Sequence, residues 1–333
     1  MELNKNDLLN ALKSVKPGIS DKEVLQQTNH YVFDEDCIRS YNDQIAIYKG
    51  FESGLFGAVK ASEFYQIIEK IPSDIIEIVQ EDGQFKITTE SIDAVINIQE
   101  QHAVPLISIK ELKGWQKLPG NFAQAVEFCL FSVSKDMSDP IWTCLYVDKQ
   151  KVFSSDRFRV TRYKLDSEIK KPFLLKSTAA RYLHSYKPTH VLKQSDWIHF
   201  KNKDDVYFSC RVMNGKYADV DSYFVNRGTR INLPSDLKFI IDRVQIMTEG
   251  EFKQDLNVEI KIKKGQMTCT GQGSLGYIKE KTKIDYDGDD IKIKIHPVFL
   301  NDILERLDEL IITRNSLLFK GEGFDHIISL FGG

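Results

Sequence analysis

Few residues in this 333-residue chain are spaced for chemistry. Gly271–Gly276 reads GQGSLG, the glycine spacing of a dinucleotide-binding loop. Such a loop works only between a strand and a helix, where backbone N–H groups and the helix N-terminus face a pyrophosphate. Here it precedes YIKEKTKIDY, which alternates as a strand, so a hairpin turn is expected. Asp285–Asp290 (DYDGDD) offers part of a calcium loop, but the ligand spacing is incomplete and the closing Glu is absent. It too reads as a turn. The seven histidines form no i, i+4 pair, and no GxxxxGK[ST], GxSxG or HExxH occurs. The five cysteines lie mostly in apolar segments without a CxxC pair, as reduced core thiols of a cytoplasmic protein would. No catalytic residue, cofactor or metal site is expected.

The elements around these turns repeat. Asp7–Val15 (DLLNALKSV), Asn121–Cys129 (NFAQAVEFC) and Asp236–Val244 (DLKFIIDRV) begin 114 and then 115 residues apart. Each opens with Asp or Asn, which accept bonds from the free N–H groups of a helix start. Each then carries apolar residues at i, i+3, i+4 and i+7, the stripe of a half-buried helix. A second helix signal follows each: Val59–Ile71, Leu175–Lys187 and Ile295–Leu307. Pro72 and Pro188 stand just past the first two. The remainder alternates as strands with polar turns, among them Glu81-Asp82-Gly83. Helix, strands, helix, strands therefore recurs three times. The divisions fall at residues 1–104, 105–224 and 225–333. Few helices among many alternating strands mean an α+β fold with helices on one face of antiparallel sheets.

Composition is that of a soluble protein, 42% hydrophobic and 28% charged. No apolar run approaches the roughly 20 residues that span a bilayer, and the N-terminus lacks a signal peptide's apolar core. Neither a membrane nor a secreted setting is expected. The net charge is −3, so contact with a polyanion requires segregated charge. Taken as Asp7–Lys22, Asn121–Lys135 and Asp236–Val244, the first helical stretches carry +1, 0 and 0; the second carry 0, +3 and −1, and the remainder of the chain −6. A basic helical lining beneath an acidic outer shell would suit contact with phosphates without base readout.

Two stretches bring a family into view. VFSSDRFRVTRYKL holds Ser155-Asp156-Arg157-Phe158-Arg159-Val160-Thr161, and SCRVMNGKYADV follows at Ser209–Val220. The chain resembles the bacterial DNA polymerase III beta subunit, the sliding clamp. That family carries TDGHRLA at the first position, a segment like SRLxxGxxPDY at the second, and a YxxMPxRL-type tail where this chain ends HIISLFGG. The likeness runs the whole length. It implies three clamp domains per protomer and a homodimer closed head to tail into a six-domain ring. Helices would line a channel around double-stranded DNA, without sequence specificity. The DNA polymerase and the clamp loader would dock through short peptide motifs.

Site residues carry over position by position. Lining candidates for DNA are Lys13, Lys16, Lys22, Lys135, Lys176, Arg181, Lys238, Arg243 and Arg306. The partner-peptide pocket would take Ser155, Arg157, Phe158, Arg159 and Val160 on one side, with Ile328, Leu330 and Phe331 closing the other. Val95, Ile96 and Ile98 would meet Ile246 and Met247 of a second protomer. There are departures. The family's Gly-His is Arg157-Phe158, its tail Met-Pro is Ser329-Leu330, and SKDMSDPIW lacks its paired tyrosines. These would fit a divergent clamp, such as one encoded by a phage. The competing readings are a clamp-fold protein that binds replication factors without encircling DNA, and a nucleic-acid enzyme lacking familiar motifs.

Overall fold

The computed structural model describes residues 1–333 except 24, 106–107, 226, 251–254, 305–308 and 332–333. Its helices are α1 (Lys5–Val15), α2 (Ala61–Lys70), α3 (Phe122–Cys129), α4 (Ser177–Tyr186), α5 (Leu237–Val244) and α6 (Pro297–Leu304). The strands form antiparallel sheets of twelve, six and four. All six helices fall on the stretches whose periodicity announces them, so the α+β expectation holds. None of the described helices is long and apolar enough to cross a membrane.

The chain divides into two compact units. The first holds Met1–Ala123 and Ile169–Asn214, the second Gln124–Glu168 and Gly215–Gly333. The middle third of the sequence is thus shared between them.

In the first unit the twelve-stranded sheet joins distant segments. Strand Ile45–Gly50 pairs antiparallel with Val206–Arg211, setting Ile47 opposite Phe208 and Tyr48 opposite Tyr207. One end of the sheet is the meander Ile75–Glu81, Gln84–Thr88 and Asp93–Gln99. Asp82-Gly83 turns its first hairpin with positive φ at both residues, the twist that matches right-handed strands. α1 buries Leu8, Leu12 and Val15, and α2 buries Phe64 and Ile68. Phe33, Phe64 and Phe85 meet beneath them, with Phe33 5.6 Å from each of the other two rings. α1 begins two residues before Asp7. Asn4 caps it, its Oδ1 accepting N–H bonds from Asn6 (2.9 Å) and Asp7 (3.2 Å). Asp7 sits in the first turn, where a carboxylate complements the helix dipole.

In the second unit α5 and α6 lie on a four-stranded sheet ordered Gly276–Lys283, Gln266–Gly273, Val258–Lys263, Ile291–Ile295. Leu237, Ile240, Ile241 and Val244 of α5 pack with Ile260, Ile262, Met267 and Cys269. Each such side chain contributes about 1.5–3 kcal/mol on leaving water. Asp236 stands at the N-cap of α5 but does not cap it; its carboxylate accepts the Thr282 hydroxyl (3.0 Å). The glycine-spaced motif ends one strand and starts the next, a hairpin. Gly271 is required by a close approach: a β-carbon there would lie 1.8 Å from the Val244 carbonyl oxygen at the end of α5. All five cysteines are buried free thiols.

Candidate partner cleft and nucleic-acid surface

The two halves of the expected cleft meet within the second unit. Strand Arg159–Lys176 pairs with Phe324–Ser329, placing Arg159 opposite Ile328 and Val160 opposite Ile327. The Ser329 N–H bonds the Phe158 carbonyl (2.9 Å), so the chain end is held to the loop before the strand. Asp156 builds that loop, its Oδ1 accepting N–H bonds from Phe158 (3.2 Å) and Arg159 (3.1 Å). The Ser155 hydroxyl donates to the Arg159 carbonyl (2.8 Å) and accepts from the Arg157 N–H (3.0 Å). Arg157 takes φ +76°, left-handed backbone that glycine adopts more readily than arginine. Its guanidinium pairs with Asp139.

The eight cleft residues divide in two. Phe158 is 42% exposed, Phe331 is 37% exposed, Leu330 is half-buried, and the Arg157 head is open. Phe299 of α6 lies 6.2 Å from Phe158 and stacks on His296 at 4.0 Å. Phe158, Phe299, Leu330 and Phe331 leave an apolar patch beside the loop. Ser155, Val160 and Ile328 are buried and support it from behind.

Arg159 is buried and turned inward. Its Nε donates to Asp156 (2.8 Å), Nη1 to Asp302 (2.6 Å) and Nη2 to the Phe131 carbonyl (2.7 Å). Its plane lies 4.4 Å from the Phe299 ring centre. It ties the loop, α6 and the turn after α3 together, each of its three nitrogens donating one bond.

Beside the loop runs an aromatic series outside the expected site set. Trp142 meets Tyr217 at 5.0 Å, Tyr217 stacks on Tyr146 at 5.3 Å, and Tyr146 on Phe153 at 6.2 Å. A groove of about 580 Å³ opens along Tyr146, Phe153 and Tyr217. Its residues come from two segments some 65 positions apart, so only alternation within each segment signals it.

The lining candidates scatter more. Lys13, Lys16, Lys22 and Arg181 are exposed in the first unit. Lys176 is half-buried and donates to Gln44 Oε1 (2.7 Å). A groove of about 720 Å³ includes Lys13 and Lys49 but also Asp7 and Asp204, so it is not a basic cradle. In the second unit Lys135 is exposed and Lys238 half-buried. Arg243 is exposed but held by Glu280, its Nε donating at 2.9 Å. Arg306 lies outside the described residues.

The interface candidates lie beside open strand edges. Asp93–Gln99 is paired on one side by Gln84–Thr88; on the other only Ile98 and Gln99 find partners among the described residues. Val95 is 51% exposed, while Ile96 and Ile98 are half-buried. Gly276–Lys283 is the outermost strand of the four-stranded sheet. Ile246 is 71% exposed and Met247 half-buried. An acidic outer shell is not what the second unit shows: the sheet face turned away from α5 is rich in lysine, because alternation sends the lysines of three strands to one side. No group of three or more His, Cys, Asp or Glu gathers to hold a metal among the described residues.

This arrangement of helix-backed sheets is shared by solved bacterial proteins. The DNA polymerase III beta chain of Streptococcus pneumoniae aligns with TM-score 0.87 at 18% identity, over 100% of this chain and 99% of that one. The DNA polymerase sliding clamp of Bacillus subtilis gives 0.83 at 17%, over 100% and 98%. The sliding clamp of Pseudomonas aeruginosa bound to griselimycin gives 0.88 at 12%, over 99% and 98%. No protein-family model and no curated protein sequence matches the chain. The chain has the sliding-clamp fold from end to end. In particular, it has that of bacterial DNA polymerase III beta subunits.

Proposed function

We propose that this protein is a DNA sliding clamp, a processivity factor that encircles duplex DNA and tethers a replicative polymerase. The observation that supports this most is end-to-end likeness: 99–100% of the chain lies on clamps that are themselves covered to 98–99%. Three clamp domains, 1–104, 105–224 and 225–333, would make one protomer, and two protomers a six-domain ring. The two open strand edges support head-to-tail closure, because an unpaired edge is stabilised by a second chain's strand. Val95, Ile96 and Ile98 would then pack against the partner's Ile246 and Met247. Exposed Lys13, Lys16, Lys22, Lys135 and Arg181 would hold phosphates loosely and read no base. Polymerase and loader peptides would bury an apolar anchor against Phe158, Leu330 and Phe331.

The test is topological. Loaded protein should stay on nicked circular DNA and run off once the circle is linearised. Ile246→Ala with Met247→Ala should give folded monomers that are not retained on circles. Deleting Leu330–Gly333 should abolish polymerase stimulation while retention persists. A wild-type monomer that binds clamp-binding peptides but never duplex DNA would instead select the non-encircling reading.

A further inference from the structure

The lysine-rich sheet face of the second unit borders the proposed interface edge, whose pairing would use backbone groups of Gly276–Lys283, and it is assigned to neither channel nor cleft. Along Gly276–Lys283 the side chains alternate. Glu280 and Thr282 turn toward α5, where they bond Arg243 and Asp236. Tyr277, Lys279, Lys281 and Lys283 turn to solvent, with Tyr277 68% exposed. Register extends the pattern across the sheet. Lys281 lies opposite Thr268, Thr268 opposite Lys261, and Lys261 opposite Lys292. The next row runs Lys279, Thr270, Glu259, Lys294.

The charges are unevenly matched. Glu259 holds Lys261 and Lys292, and Asp290 holds Lys263 (2.6 Å). Lys279, Lys281, Lys283 and Lys294 make no ion pair among the described residues. The acidic loop Asp285–Asp290 bounds the patch at the Lys263 and Lys283 end and leaves the Tyr277 end open.

We propose that this face binds single-stranded nucleic acid along Gly276–Lys283. Lys279, Lys281 and Lys283 would take successive phosphates, and a base would stack on Tyr277. Two features point this way together. The strand's lysines recur every ~6.7 Å, twice the rise per residue, a step near that between phosphates of an extended strand. The exposed ring at the head of that row is useful only to a base whose face is free, which duplex DNA does not offer. An acidic peptide would use the lysines but not the ring. The surface belongs to one sheet of one protomer, so the proposal does not depend on ring closure.

The test is anisotropy of a labelled oligo(dT) with the full chain over a salt series. Binding should fall steeply with salt. K279Q/K281Q/K283Q should lower the slope of log affinity against log salt by about 2, at about 0.7 per lost phosphate contact, and weaken binding at least about tenfold at low salt. Tyr277→Ala should weaken it at least about fivefold with the slope unchanged, and Tyr277→Phe should restore it. K13Q/K16Q/R181Q should leave oligo(dT) affinity intact. The substituted residues are exposed, and circular dichroism should show each variant folded like the wild type. Unaltered binding by Tyr277→Ala, or polyglutamate bound as tightly as oligo(dT), would overturn the assignment in favour of an acidic protein partner. Loss of binding only in the helix variants would overturn it in favour of the channel. Should the wild type prove monomeric, the ring reading fails while this binding persists.

Discussion

Two meanders of the same build sit in the two units, and they differ on one face only. In Ile75–Gln99 and in Val258–Ile295 alternation sends one set of side chains against a helix pair: Ile78, Phe85 and Ile87 in the first, Ile260, Ile262 and Met267 in the second. The other faces diverge. The first carries Glu77, Glu81 and Asp93, with Lys86 paired to Glu81 (2.6 Å), and leaves Ile75 and Val95 exposed. The second carries the lysine rows and Tyr277. Packing dictates the buried face, because a wrong volume there costs stability. The solvent face is free to take whatever charge a partner requires.

The sharpest way to break this comparison is to cut both faces. Phe85→Ala, which empties a fully buried site beside Phe33, should cost about 3–5 kcal/mol in chemical denaturation, and Met267→Ala about 2–4. Lys86→Ala and Thr270→Ala should stay within about 0.5 kcal/mol. A solvent-face change as costly as its buried counterpart would remove the distinction.

Arg159 tests whether a residue can leave the solvent face altogether. Arg159→Ala strands two carboxylates and a carbonyl and should cost about 3 kcal/mol, since Asp302 stays partly hydrated. Arg159→Lys should not recover it, because an ammonium cannot reproduce the three-way fork. Full stability of either variant would return Arg159 to a purely ligand-facing role.

The first unit holds an acid-sensitive site. Burial pushes the imidazole of His199, 2.7 Å from the Ser209 hydroxyl, down to about 4. Its folded value lies below the unfolded 6.5, so its contribution is complete above about pH 6.5. It is lost as pH falls toward 4, up to about 3 kcal/mol in all. His199→Gln should flatten the stability–pH curve across that window; an unchanged curve would refute the assignment.

The smallest effect concerns backbone. Arg157→Gly should raise stability by up to about 1 kcal/mol, since glycine accepts φ +76° freely and the Asp139 pair is exposed. A fall in melting temperature would show that the ion pair outweighs the strain.

By itself the sequence determined what depends on near neighbours along the chain. Apolar spacing placed all six helices, and Asp82-Gly83 and the glycines at 271–276 marked their hairpins, because these are set by backbone angles and by periods of 3.6 and 2. The cleft's two halves were legible only through likeness to a family, not through any local signal. Tertiary structure decided the rest. It turned Arg159 inward, since Asp302 and Phe131 reach it only once α6 and α3 are packed. It moved the cap of α1 to Asn4 and gave Asp236 to Thr282. It split the middle segment between two units. It also gathered lysines from three strands onto one face, which requires the sheet register. Register is fixed by which apolar face finds a core, and that is a property of the folded chain rather than of any window of residues.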